Sequence, residues 1–125
     1  MTISEMSEKY EVSQDTLRYY ERIGLIPPVN RNSRGIRDYA EEDCRWVEFI
    51  KCMRGAGLPI EALMEYMALI RQGDETIRAR KKLLIDQRRQ LQARLEEMKK
   101  TLERLDHKIE HYEQCAAGTV KCAAN

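Results

Sequence analysis

From Ile77 onward, apolar residues return at every seventh position as Leu84, Leu91, Met98, Leu105 and Tyr112, and Leu95, Leu102 and Ile109 join them at a second seam position. A heptad pattern kept up over this length, with Glu, Lys and Arg between the apolar positions, is the signature of a coiled coil. As one continuous helix, residues 75 to 113 extend about 58 Å at 1.5 Å per residue. A chain of 125 residues has room for one modest core or for a small domain plus an extended element, so a helix this long must cover its stripe with a partner. Early in the second seam stand Lys81 and Arg88, where Leu95, Leu102 and Ile109 stand later. That gradient is compatible with an antiparallel pair and does not by itself select one.

The N-terminal part has a different grammar. Thr2-Ile3-Ser4-Glu5 has capping-box spacing, and Ile3, Met6 and Tyr10 follow at the interval of an amphipathic helix. Ser13 suits the N-cap of a second helix, where its hydroxyl accepts from an unpaired amide, and Asp15 complements the positive end of the helix dipole. This helix runs through Leu17 and Tyr20, both expected on its core face, towards Gly24. Two short helices so spaced form a helix-turn-helix candidate. The second helix of such a unit enters the major groove by its N-terminal residues, which makes Ser13, Gln14, Thr16 and Arg18 candidates for DNA contact.

Ile26-Pro27-Pro28-Val29, the turn-rich Asn30 to Gly35, and Ile36-Arg37-Asp38-Tyr39 then read as two extended pieces around a turn, a small β-hairpin or wing. On it Arg31, Arg34 and Arg37 can each neutralise a phosphate, and Tyr39 can donate its hydroxyl to one. Between Leu17 and Arg37 there are five arginines against the single acid Glu21, although residues 1–73 as a whole carry ten basic and twelve acidic side chains. DNA affinity must therefore come from local arginine placement.

Two connecting helices follow. One is expected over Glu41 to Ala56, and the next starts at Pro59 and ends at Gly73. On the first, a wheel gathers Trp46, Phe49, Ile50, Met53 and Gly57 on one side, with Cys52 well off that centre and Cys44 opposite it. The chain offers no glycine-rich phosphate loop and no histidine outside His107 and His111, so no enzyme site is expected. It has neither a bilayer-spanning apolar run nor signal-peptide regions, so a cytoplasmic protein without membrane association is expected, with its cysteines held as thiols.

The runs Thr16-Leu17-Arg18-Tyr19-Tyr20-Glu21-Arg22-Ile23-Gly24-Leu25 and Arg31-Asn32-Ser33-Arg34-Gly35-Ile36-Arg37-Asp38-Tyr39 closely resemble the MerR family of bacterial transcription regulators, and the resemblance continues through Asp43, Arg45, Phe49-Ile50, Arg54 and Gly57-Leu58 into the long helix. It implies a mainly α protein with a winged helix-turn-helix domain and a long coiled-coil helix that pairs antiparallel in a homodimer. It also implies double-stranded promoter DNA as partner, bent and untwisted so that RNA polymerase on the same promoter can engage it. Mapped onto this chain, the helix-turn-helix contacts are Ser13, Thr16, Arg18 and Tyr19, and the wing contacts are Arg31, Arg34, Arg37 and Tyr39. The expected division is a DNA-binding domain with connector helices over 1–73, a dimerisation helix over 74–113 and a cysteine-bearing tail over 114–125.

Three positions depart from the family pattern. Glu11 stands at a usual turn glycine, at a cost of about 1 kcal/mol if that residue is left-handed. Ile36 replaces a frequent aromatic of the wing, and Ala40 replaces the usual hydroxyl cap of the third helix.

Phe49-Ile50-Lys51-Cys52-Met53-Arg54 resembles the motif of a MerR subgroup that responds to aldehydes and nitrosative or other electrophilic stress through one cysteine of this helix. The resemblance implies Cys52 as sensor thiol and no cofactor; the alternative is an inert, half-buried thiol. A rival input lies in the tail, where His107, His111 and Cys115 share a helix face and Cys122 follows a loop. Such groups can hold zinc or copper, and metal-sensing MerR proteins are similar in carrying a cysteine pair just after the dimerisation helix. They often add a cysteine at the start of that helix, where this chain has Asp74, Glu75 and Thr76.

Overall fold

The computed structural model describes residues 1–119 and residue 121. Cys122, half of the cysteine pair proposed for metal, lies outside the described residues. The elements are α1 (Ile3–Tyr10), α2 (Gln14–Arg22), α3 (Glu41–Gly55), α4 (Ile60–Gln72), a 3-10 turn over Asp74–Thr76, and α5 (Ile77–Ala116). None of these helices is long and apolar enough to cross a membrane.

Each N-terminal boundary has a local cause. The Thr2 hydroxyl accepts the Glu5 amide at 3.1 Å while the Glu5 carboxylate accepts the Thr2 amide at 3.1 Å, closing the box at the start of α1. The turn into α2 places Glu11 at φ 54° and ψ 44°, the left-handed conformation for which glycine is the usual solution. Its carboxylate lies 3.7 Å from the Lys51 ammonium on α3. At α3 the missing hydroxyl of Ala40 is half compensated, because buried Asp43 reaches back to accept the Ala40 amide at 2.8 Å.

The first compact unit, Met1–Arg88, has a single apolar core built from Met6, Leu17, Tyr20, Leu25, Ile26, Val29, Tyr39, Val47, Ile50, Leu58 and Leu63 with their neighbours. On α3 the buried face centres on Val47 and Ile50, with Trp46, Phe49 and Met53 at its margins and Gly57 exposed. The expected cluster is thus displaced by part of a turn: Val47 and Ile50 are fully buried, while Phe49 pairs with the rings of Trp46 and of Tyr66 on α4 and packs at the edge of the core. The unit also runs past residue 73, because the first turns of α5 are bonded to the end of α4.

The wing is a hairpin in its barest form. Among the described residues its ladder is one antiparallel bridge, Arg31 with Arg37, and no sheet forms. Shape comes instead from Asn32, whose side-chain oxygen accepts the amides of Arg34 (2.9 Å) and Ile36 (3.1 Å), and from Gly35 at φ 76°. At its base the Asp38 amide donates to Asn30 (2.7 Å), the Tyr39 amide donates to the Met1 carbonyl (2.8 Å), and the Met1 ammonium donates to the Asp38 carboxylate (3.0 Å). That carboxylate raises the pKa of the Met1 amine.

The second unit, Arg89–Asn125, contains the rest of α5. Along α5 the seam residues Ile77, Leu84, Leu91, Leu95, Met98, Leu102, Leu105, Ile109 and Tyr112 are all exposed, Met98 at 68%. The helix is unbroken over 40 residues, and among the described residues its apolar stripe stays exposed.

Candidate nucleic-acid interface

At the start of α2 the Ser13 hydroxyl accepts the Thr16 amide (3.1 Å) and donates to the Thr16 hydroxyl (2.7 Å), which fixes both side chains at the N-terminal end of the helix. Arg18 lies back along the same helix, donating to Asp15 (3.0 Å) and Gln14 (3.4 Å). Such an exposed pair contributes little stability, so its guanidinium can exchange Asp15 for a phosphate at small cost. Tyr19 is exposed, and the Arg22 guanidinium sits 5.3 Å from its ring centre. Ser13, Arg18 and Tyr19 are exposed and Thr16 is partly so, while Leu17 and Tyr20 of the same helix are buried.

In the wing, Arg31 donates to the Gly35 carbonyl at 2.8 Å, and the Arg34 guanidinium is exposed and makes no ion pair among the described residues. Arg37 behaves differently. Its Nε donates to Glu21 Oε1 at 2.7 Å, with the two side chains only 22% and 16% exposed. The other carboxylate oxygen of Glu21 accepts the Val29 amide at 3.1 Å. Burial raises the Glu21 pKa, but the bonds from Arg37 and Val29 and the charges of Arg37 and Arg31 outweigh it and leave it below its ordinary value. Glu21, which local sequence marked only as the lone acid among arginines, is the joint between recognition helix and wing.

Tyr39 requires a correction. It is 2% exposed, and its hydroxyl is buried with no protein hydrogen-bond partner, so it belongs to the core and does not present that hydroxyl to a phosphate in this conformation. Burial raises its pKa. Ring size decides the outcome: an aromatic side chain at the wing base gains more from covering the core than from projecting into water.

Cys52 is exposed and a free thiol. One turn before it, Phe49 lines an open cleft of about 260 Å³ with Glu42, Arg45, Trp46 and Tyr66. Cys44 is a free thiol turned inward, its sulfur 3.4 Å from that of Met6. In the tail, Cys115 Sγ lies 3.7 Å from His111 Nε2, but Cys115 is disulfide-bonded rather than the expected thiol. A metal there would require prior reduction, since the ligand is the thiolate. No three His, Cys, Asp or Glu side chains come together to hold a metal ion among the described residues.

Residues 1–70 match the MerR HTH family of regulatory proteins, and residues 44–108 match the family described as MerR, DNA binding. The HTH-type transcriptional regulator AdhR of Bacillus subtilis is 57% identical over 91 residues, which are 73% of this chain and 65% of that protein. A mercuric resistance operon regulatory protein of Bacillus cereus is 29% identical over 78% of this chain and 74% of its own length. Among crystal structures, a MerR family transcriptional regulator from Listeria monocytogenes superposes with a TM-score of 0.90 at 51% identity, covering 94% of this chain and 89% of the other. HiNmlR, a MerR family regulator lacking the sensor domain and bound to promoter DNA, superposes with a TM-score of 0.84 at 28% identity, covering 93% and 92%. The chain belongs to the MerR family of helix-turn-helix, DNA-binding transcription regulators.

Proposed function

We propose that this regulator binds promoter DNA as a homodimer through Ser13, Thr16, Arg18 and Tyr19 of α2 and Arg31, Arg34 and Arg37 of the wing, activates by distorting that DNA for RNA polymerase, and senses thiol-reactive electrophiles through Cys52. The observation that carries the sensor assignment is an exposed free thiol at Cys52 on α3, within the unit that holds the recognition helix. The Phe49 to Arg54 motif resembles the electrophile-responsive subgroup, and the fold superposes on a DNA-bound regulator described as lacking a sensor domain.

In the chemical step the Cys52 thiolate adds to an aldehyde carbon. A C–S bond forms, the C=O π pair moves to oxygen, and oxygen takes a proton from water to give a hemithioacetal. The added group must then be housed at the surface of α3, which changes what that surface can pack against. For dimerisation the support is the apolar stripe of α5, which is exposed among the described residues. The chain remains in the aqueous phase on this reading, in the cytoplasm where promoters are.

The alternative input is zinc or copper at Cys115 and Cys122 with His111. It is supported by the mercuric resistance regulator among the relatives, and it requires Cys115 to be reduced to a thiol first. Transcription in vitro from the bound promoter separates the two readings. With formaldehyde or S-nitrosoglutathione, Cys52→Ala is expected to abolish induction while leaving DNA affinity intact. If Cys115→Ala with Cys122→Ala removes the response, and zinc or copper(I) rather than the electrophiles elicits it, the sensor assignment moves to the tail.

A further inference from the structure

The corner between α4 and α5 is closed by side chains rather than by the backbone alone. A helix end leaves its last carbonyls without intrahelical donors. Here the Leu69 carbonyl lies 2.6 Å from the hydroxyl of Thr76, a buried residue, and the Gly73 carbonyl lies 2.8 Å from the same hydroxyl, which shares its single proton between them. Arg80, on the first turn of α5, donates through Nε to Thr76 Oγ1 (2.9 Å) and through Nη2 to the Gly73 carbonyl (2.6 Å). A cation at this point also complements the negative end of α4. Gly73 itself sits at φ 104°, so the chain turns the corner at a residue other types rarely replace. From α4 a second tie leads to the DNA-reading side: the Arg71 guanidinium donates to the Gly24 carbonyl just beyond the end of α2. All of these groups lie within Met1–Arg88.

We infer that Thr76 and Arg80, with Arg71, are positioning residues for DNA recognition. They fix the α4–α5 corner, and through Arg71 and Gly24 they fix where α2 stands relative to the first turns of α5. None of the three needs to touch DNA. In a dimer with two reading heads, that placement sets the distance between the half-sites the heads can occupy together, and a shift of one base pair moves a half-site by about 3.4 Å along the duplex. This inference rests on the homodimeric DNA-binding reading above.

The test uses the full chain and an inverted-repeat duplex selected by the wild-type protein from a randomised library. Derivative duplexes have the half-sites moved one or two base pairs closer or farther, and a further duplex carries a single half-site. Wild type is expected to prefer one spacing by about tenfold over its neighbours. Thr76→Val and Arg80→Ala are expected to flatten that preference to about threefold or less with single half-site affinity unchanged, whereas Thr76→Ser, which keeps the hydroxyl, retains it. Should folded Thr76→Val and Arg80→Ala keep the wild-type spacing profile, or should they lose half-site affinity in step with thermal stability, the positioning role is overturned. A wild-type protein with no spacing preference at all overturns both this inference and the two-headed reading, while a normal wild-type profile with unaffected variants overturns only the inference.

Discussion

Arg37 Nε donates to Glu21 Oε1 at 2.7 Å across sixteen residues of chain, joining the wing to the recognition helix through a pair that is mostly withdrawn from water. One arginine of the wing is thus a structural strut, while its neighbours Arg31 and Arg34 face solvent. Placing the wing correctly depends on an acid that at first sight only diminishes the positive field.

Glu21→Ala leaves the Arg37 guanidinium and the Val29 amide without their acceptor. The expected cost is about 2 kcal/mol of unfolding free energy, below that of a fully buried pair because some solvent reaches both side chains. Urea denaturation checks this, and a loss under about 0.5 kcal/mol, the range of an ordinary surface change, contradicts it.

The same pair sets a pH dependence. Because the native Glu21 pKa is depressed, its contribution is fully present above the ordinary value of 4.5 and is lost as pH falls through the lower native value. The stability difference between wild type and Glu21→Gln should therefore be constant near neutrality and shrink as the solution is acidified below that ordinary value. A difference that stays unchanged into strong acid removes the assigned role.

Arg34→Ala and Arg37→Ala should separate cleanly. Arg34→Ala is expected to leave stability within about 0.5 kcal/mol and to lower the slope of log affinity against log salt by about 1, as for one lost phosphate contact. Arg37→Ala should weaken DNA binding and also lower stability, since it leaves Glu21 half-buried without its cation. Fluorescence anisotropy over a salt series, paired with thermal melts, reads both. Equal melts for the two variants contradict the division.

Much of this is legible in the sequence. The caps at Thr2 and Ser13, the glycine at the α4 end and the heptad of α5 are local or periodic signals, and a helix obeys them without reference to the rest of the chain. Glu11 was readable as a strained turn for the same reason. The Glu21–Arg37 strut, the Arg71–Gly24 tie and the Thr76–Arg80 corner were not, because each depends on which segments meet in three dimensions. Tyr39 follows three arginines of a turn-rich segment and reads locally as a surface residue, yet its ring belongs to the core cluster that residues far along the chain complete.

Gly24 offers a further check on the packing. It has φ 78°, and a Cβ there comes within 2.9 Å of Arg71 Nη2, the far end of a flexible side chain. Gly24→Ala should therefore cost about 1 to 2 kcal/mol, set by the left-handed backbone rather than by the collision, and should displace Arg71 from the Gly24 carbonyl. In the Arg71→Ala background the cost should persist; its disappearance in that double variant contradicts the backbone explanation.

Two chains meeting on one duplex is the relationship on which the whole account turns, and the mass of the protein–DNA complex measures it directly. Light scattering on the chromatographically isolated complex with the selected inverted repeat should return the duplex plus two chains of 14.7 kDa each, and Leu95→Asp with Leu102→Asp on the exposed seam should abolish that species. A folded wild-type protein that leaves the duplex unbound, or that loads it with a single chain at saturation, contradicts the account.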